Sequence, residues 1–186
     1  NVMRKHYPRY FIGLDLEPSA KLAIEQWRHK YLAGLPDKPV PMENFHVTLA
    51  FLGAVQPDKH ELLERGLEKI SAQTFTCQTT ELGCFKKAKV LYLGLALTPE
   101  FEHLAQACRQ LNKELQVPQH HSHFKPHITL FRNHREAVPL PTQPLKLNLT
   151  FHQFHLFESV SNAQMGKPPH YPKRQTYDLA PQFSRG

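Results

Sequence analysis

Two short segments constrain this chain more than anything else in it. Phe45-His46-Val47-Thr48-Leu49 and Pro126-His127-Ile128-Thr129-Leu130 repeat one pattern, 127 − 46 = 81 positions apart. Each follows a loop, and each is followed by a phenylalanine, Phe51 in the first and Phe131 in the second. The alternation of polar and apolar residues reads as strand. In a strand, residues i and i+2 share a face. His46 and Thr48 therefore share one face, as do His127 and Thr129, and Val47, Leu49, Ile128 and Leu130 turn to the core. A repeat at this spacing is expected of two similar lobes joined end to end.

The rest of the chain supports a mixed architecture. Tyr10 to Leu16 reads as a buried strand, followed by a helix with Ser19 as N-cap running to about Leu32. Gly34 to Pro41 reads as a proline-rich loop. A second helix, Asp58 to Ser71, carries an apolar stripe of Leu62, Leu63, Leu67 and Ile70. Phe75 to Leu82 and Val90 to Leu97 read as strands joined by a basic turn with Lys86, Lys87 and Lys89. Thr98 caps a third helix with Pro99 in its first position, running to about Leu115. Pro126 to Phe131 is the second motif strand, Leu145 to Phe157 one long strand or a hairpin arm, and Gln175 to Leu179 the last strand. Strands adjacent in sequence argue for α+β with antiparallel sheet. No GxGxxG or Walker motif follows any strand. The loop Ser161 to Lys173, with Gly166, Pro168, Pro169 and Pro172, is of the kind that covers a site.

Composition narrows the function. The chain has 186 residues, with 23 Lys and Arg against 16 Asp and Glu, a net charge of +7. That excess favours a polyanionic partner such as RNA. Hydrophobic content of 40% excludes a disordered chain. No apolar run is long enough for a membrane helix, and no secretory signal opens the chain. Three cysteines without CxxC spacing argue against a disulfide framework or a zinc ribbon and fit reduced, buried thiols of a cytoplasmic protein.

The quartet of two histidines and two threonines suits displacement at phosphorus. Such a reaction needs one group to take a proton from the nucleophile and another to protonate the leaving oxygen. Imidazole titrates near neutrality, so a pair divides these roles. Threonine hydroxyls donate to the non-bridging oxygens. No metal or other cofactor is required.

His46-Val47-Thr48-Leu49 and His127-Ile128-Thr129-Leu130 resemble the paired motifs of the two-histidine (2H) phosphoesterases. Tyr10 to Leu16, Asn44 to Gly53, Val90 to Gly94 and Lys125 to Arg132 are similar to the bacterial branch of RNA 2′,3′-cyclic phosphodiesterases, also called 2′-5′ RNA ligases. The resemblance spans about residues 9 to 180. It implies a bilobal, pseudo-symmetric α+β fold, residues 1–186 forming one domain of two similar lobes. Two antiparallel sheets would line a central cleft with helices outside. It implies metal-independent opening of a terminal 2′,3′-cyclic phosphate to a 2′-phosphate. His46 would be the proton donor and His127 the acceptor, with Thr48, Thr129 and Arg132 on the phosphate. RNA ends or cyclic nucleotides would be the substrate of a monomer. The other readings are 2′-5′ ligation or cleavage from the same site, and a basic RNA-binding module.

Phe11, Phe45 and Tyr171 are candidates to border a base. His120, His121, His123 and His127 mimic a metal cluster, but no carboxylate or thiolate partner lies close in sequence. They read as a basic loop at the cleft, with no metal site. Lys86, Lys87 and Lys89 would steer an RNA backbone.

Overall fold

The computed structural model describes residues 7–118, 123–135 and 139–182. Nine strands and three helices follow in the order β1 (Arg9–Asp15), α1 (Pro18–Leu32), β2 (Lys38–Pro39), β3 (His46–Ala54), α2 (Pro57–Glu68), β4 (Phe75–Phe85), β5 (Val90–Leu95), α3 (Pro99–Glu114), β6 (His127–Arg132), β7 (Asn148–Phe151), β8 (Gln153–Ser159) and β9 (Lys173–Asp178) among these residues. They form two sheets with orders β3-β1-β8-β9 and β2-β6-β5-β4-β7. Every strand pairing within them is antiparallel. The α+β architecture with two antiparallel sheets is the expected one.

The sheets are interleaved along the chain. The first takes strands from both ends, the second takes the middle plus the short β2. The stretch expected as one long strand or a hairpin arm, Leu145 to Phe157, is two strands broken at His152. β7 pairs with β4 in the second sheet, and β8 pairs with β1 and β9 in the first. A single strand cannot bond into two sheets without such a break. His152 bends the chain, and its carbonyl accepts from the Leu179 amide at 2.8 Å.

Helix starts follow proline chemistry. α1 begins at Pro18 after an extended Glu17, so Ser19 lies inside the first turn and is not the cap. Proline has no amide hydrogen to satisfy, and its ring fixes φ for the helix, which moves the cap two residues earlier, from Ser19 to Glu17. α3 starts on Pro99, 99 − 18 = 81 positions later. Thr98 is its cap, accepting from the Phe101 amide at 3.2 Å. On α2, Leu63 and Leu67 are buried, whereas Leu62 is 48% exposed and Ile70 lies beyond the helix end.

Packing links each helix to the opposite half. α3 lies on β3, with Asn112 donating to the Phe51 carbonyl at 3.0 Å and Phe101 stacked on Phe75 at 4.7 Å. α1 reaches β6 through Arg28, only 6% exposed, which donates to the carbonyls of Val40 and Leu130, both at 2.7 Å. Its guanidinium sits between the rings of Phe45 and Phe131, at 4.9 and 5.3 Å, and pairs with Glu25. Cys77 and Cys108 are buried thiols, pushed up to about 12 by desolvation. Among the described residues, no helix is long and apolar enough to cross a membrane.

Candidate active site

β3 opens on His46 and β6 opens on His127. Both strands alternate half-buried and buried residues through the motif, so Val47, Leu49, Ile128 and Leu130 enter the core as the spacing predicts. Each imidazole is held by the same device. His46 Nδ1 donates to the Asn44 carbonyl at 2.7 Å, and His127 Nδ1 donates to the Lys125 carbonyl at 2.8 Å. A carbonyl only accepts, so Nδ1 carries the proton and Nε2 is left as the basic nitrogen of the neutral ring. His46 Nε2 accepts from the Thr48 hydroxyl at 3.1 Å.

Both motif strands then bulge at the same place. Ile12 pairs with Ala50 and Gly13 with Thr48, which leaves Leu49 as the extra residue. Leu91 pairs with Phe131 and Tyr92 with Thr129, which leaves Leu130. A bulge shifts the facing of every later strand residue by one position. Phe51 and Arg132, 132 − 51 = 81 positions apart, therefore rejoin the histidine face, and both are exposed, Phe51 at 62%. Phe131 is not the counterpart of Phe51, as the sequence repeat suggested. It is buried against Arg28.

The strands beside the motifs give the two histidines different neighbours. Asp15 stands opposite His46, and Gly94 stands opposite His127. Asp15 pairs with Lys21 at 2.9 Å and Lys173 at 2.6 Å. Burial works to raise its carboxyl, but the two lysines outweigh that and hold it below its ordinary value. Aromatic rings floor both sides. Phe157 stacks on Phe11 at 5.0 Å beside His46, and Phe85 meets His127 edge-on at 4.9 Å. Tyr92 lies 5.2 Å from the His127 ring, and a Cβ on Gly83 would stand 2.4 Å from its hydroxyl. That tyrosine needs a glycine across the strand. Lys125 hydrogen-bonds Tyr92, which raises its pKa, and its ammonium lies 5.6 Å from the ring.

The expected base contacts divide. Tyr171, from the β8–β9 loop, meets His46 at 5.1 Å and Phe11 at 5.3 Å. Asn44 ties that loop down by donating to the Pro169 carbonyl at 2.8 Å. Phe11 is only 2% exposed, covered by His46, Phe51, Phe157 and Tyr171, and so forms the floor under the site. Phe45 is corrected outright. At 1% exposure it lies in the core under Arg28, because the residue before His46 faces away from the cleft. His120 and His121 lie outside the described residues, and His123 is exposed. The described residues contain no group of three metal-ligating side chains.

Electrostatics make His46 neutral at rest. Desolvation, then the charges of Arg132 and His127, push it down to about 4, against the Asn44 carbonyl and Asp15. These mutual effects place His46, His127 and Arg132 within reach of one another, where β3 and β6 approach. His155 is a third imidazole on this floor, missed from sequence. It pairs with Gly13, which in turn pairs with Thr48, and its Nδ1 bonds Thr176 Oγ1 at 2.8 Å. The alternation of His155 and Phe157 was the available signal. Asp15, Tyr92 and Phe85 left none, because their relation to the motifs is a matter of strand register.

Residues 16–159 match the family model described as the 2'-5' RNA ligase superfamily. The chain belongs to the 2'-5' RNA ligase superfamily. Within that superfamily it is 30% identical over 152 residues to a protein of Escherichia coli (strain K12) named RNA 2',3'-cyclic phosphodiesterase, covering 81% of this chain and 86% of that one. A solved phosphoesterase superposes with a TM-score of 0.86 at 27% identity, over 94% of this chain and 99% of its own. E. coli LigT complexed with 3'-AMP gives a TM-score of 0.84 at 28% identity, with the same shares covered.

Proposed function

We propose that the chain is an RNA 2′,3′-cyclic phosphodiesterase, which opens the terminal cyclic phosphate of an RNA end to a 2′-phosphate. The observation that carries this reading is the doubled motif strand: two imidazoles fixed by Nδ1 to the carbonyl two residues upstream, with Thr48 and Thr129 on their face. The relatives' names and the nucleotide bound to LigT support the substrate class. The two halves, each giving one motif, are read as one domain.

The chemistry derives from the groups present. Water attacks phosphorus, the bond to the 3′ oxygen breaks, and the 2′ ester remains. His127 takes the proton from water, and His46 delivers one to the 3′ oxygen. His46 receives the donor role because Asp15 stands opposite it, whereas His127 faces Gly94. A bound phosphodiester anion offsets the charge of Arg132 and raises the proton affinity of His46 above its resting value. Thr48, Thr129 and Arg132 hold the non-bridging oxygens, where the transition state concentrates charge. Tyr171 and the exposed Phe51 border the base. The two proton transfers need no metal or cofactor, and we place the enzyme in the cytosol as a monomer.

Product analysis tests this. An oligonucleotide ending in a 2′,3′-cyclic phosphate should give a 2′-phosphate, at an undiminished rate in EDTA. A 3′-phosphate product, or loss of activity in EDTA with recovery on adding zinc, would overturn the reading. Turnover itself separates it from a basic RNA-binding module.

A further inference from the structure

A buried histidine–aspartate hydrogen bond at one corner of the second sheet has no part in the chemistry above. His134 Nδ1 lies 2.6 Å from Asp37 Oδ2, with the residues 6% and 8% exposed. Asp37 leads into β2 and His134 follows β6, so the pair fastens the edge strand to the motif strand. The His134 amide also donates to the Lys89 carbonyl at 2.9 Å, which fastens the β4–β5 turn to the same point. Lys89 sits there with φ of 54°, a left-handed conformation that this turn must hold.

What the corner presents is positive charge. Lys38 is the register partner of Arg132 across β2 and β6. Paired residues point to one side of a sheet, so Lys38 extends the Arg132 row outward from the site. Lys87, Lys89 and Arg135 are exposed on the other two segments tied to His134. Across residues 36–40, 85–90 and 131–135 the sole carboxylate is Asp37, which is turned inward to His134. The corner is a rigid cationic surface, continuous with the phosphate-binding arginine.

We propose that this corner binds the single-stranded RNA backbone leading to the reacting end. The enzyme then takes an oligonucleotide end in preference to a free cyclic mononucleotide. The inference rests on the function proposed above. Fixed cations on adjacent strands suit successive phosphates of one strand, because the ordering is done by the fold before the RNA arrives.

The test compares a 2′,3′-cyclic mononucleotide with a short single-stranded RNA ending in the same group, between about 50 and 200 mM salt. The variants are the wild type and the double substitution Lys38→Gln, Lys87→Gln. The wild type should favour the RNA, with a rate that falls steeply with salt. The double variant should lose about tenfold in kcat/KM on the RNA, through KM. Its log–log salt slope should shrink by about 1.4, roughly 0.7 for each lost cation. Its mononucleotide hydrolysis should be unchanged. Equal efficiency of the wild type on both substrates, or equal effects of the double substitution on both, would overturn the inference while leaving the proposed reaction intact. Turnover of neither substrate by the wild type would overturn both.

Discussion

A histidine kept neutral by burial beside an arginine is the sharpest residue-scale feature of this site. Turnover by an imidazole pair needs one ring neutral and one protonated, and the limbs of its pH profile belong to the pair. As pH rises, His46 loses the proton that the proposed donor must deliver, and burial makes it lose that proton early. We expect kcat/KM, which reports the free enzyme, to fall on the alkaline side from about 4 upward. An alkaline limb at or above the ordinary histidine value near 6.5 would contradict this. Arg132→Gln removes a charge that opposes protonation, so its alkaline limb should move to higher pH, while kcat falls. The shared face of His46 and Thr48, and that of His127 and Thr129, was legible in the sequence because strand periodicity alone puts i and i+2 on one face. Phe45 and Phe11 were misjudged because aromatic character says nothing about facing or cover. Asp15, Tyr92 and Lys125 act through cross-strand neighbours that only the register supplies.

Among elements, α1 and the two bulged strands do the positioning. Arg28 spends its donors on the carbonyl of the bulged Leu130, on Val40 and on Glu25, while its plane separates Phe45 from Phe131. One buried guanidinium thus braces the residue before His46 and the residue before Arg132. Arg28→Met keeps much of the volume but leaves buried carbonyls short of a donor. It should cost about 2–4 kcal/mol in urea unfolding, given charged hydrogen bonds worth about 1.5–3 kcal/mol each. A loss below about 0.5 kcal/mol would show that the packing alone suffices. The helices were readable from prolines and apolar spacing, and α3 from its Thr98 cap as well. The bulges were not, since Leu49 and Leu130 look like ordinary core positions until the partner strand skips them. For the same reason Phe51 and Phe131 looked equivalent and are opposites, one exposed at 62% and one buried at 5%.

The whole molecule is a repeat whose sheets exchange strands, so the C-terminal β8 and β9 complete the N-terminal sheet. The spacing of 81 announced the repeat, but the crossing at His152 is a long-range event with no local signal. This crossing brings His155 under the site, where it is 4% exposed. Desolvation, with the Lys173 charge, holds it down to about 4 from an ordinary 6.5. The unfolded chain therefore takes this proton first as pH falls. Stability is full above about 6.5 and is lost between there and about 4, by up to about 3 kcal/mol from this group. His155→Gln should flatten the fall in unfolding free energy over that window, and an unchanged slope would refute the assignment. Joining two half-sites also makes the histidines one unit, whose losses do not add. The decisive measurement is hydrolysis of a 2′,3′-cyclic phosphate by His46→Ala, His127→Ala and the double variant, each shown to be folded by circular dichroism. Each single substitution should cost at least about 100-fold in kcat, the effect of losing a positioned acid or base, and the double little more. Full activity in either single variant would contradict a two-histidine mechanism.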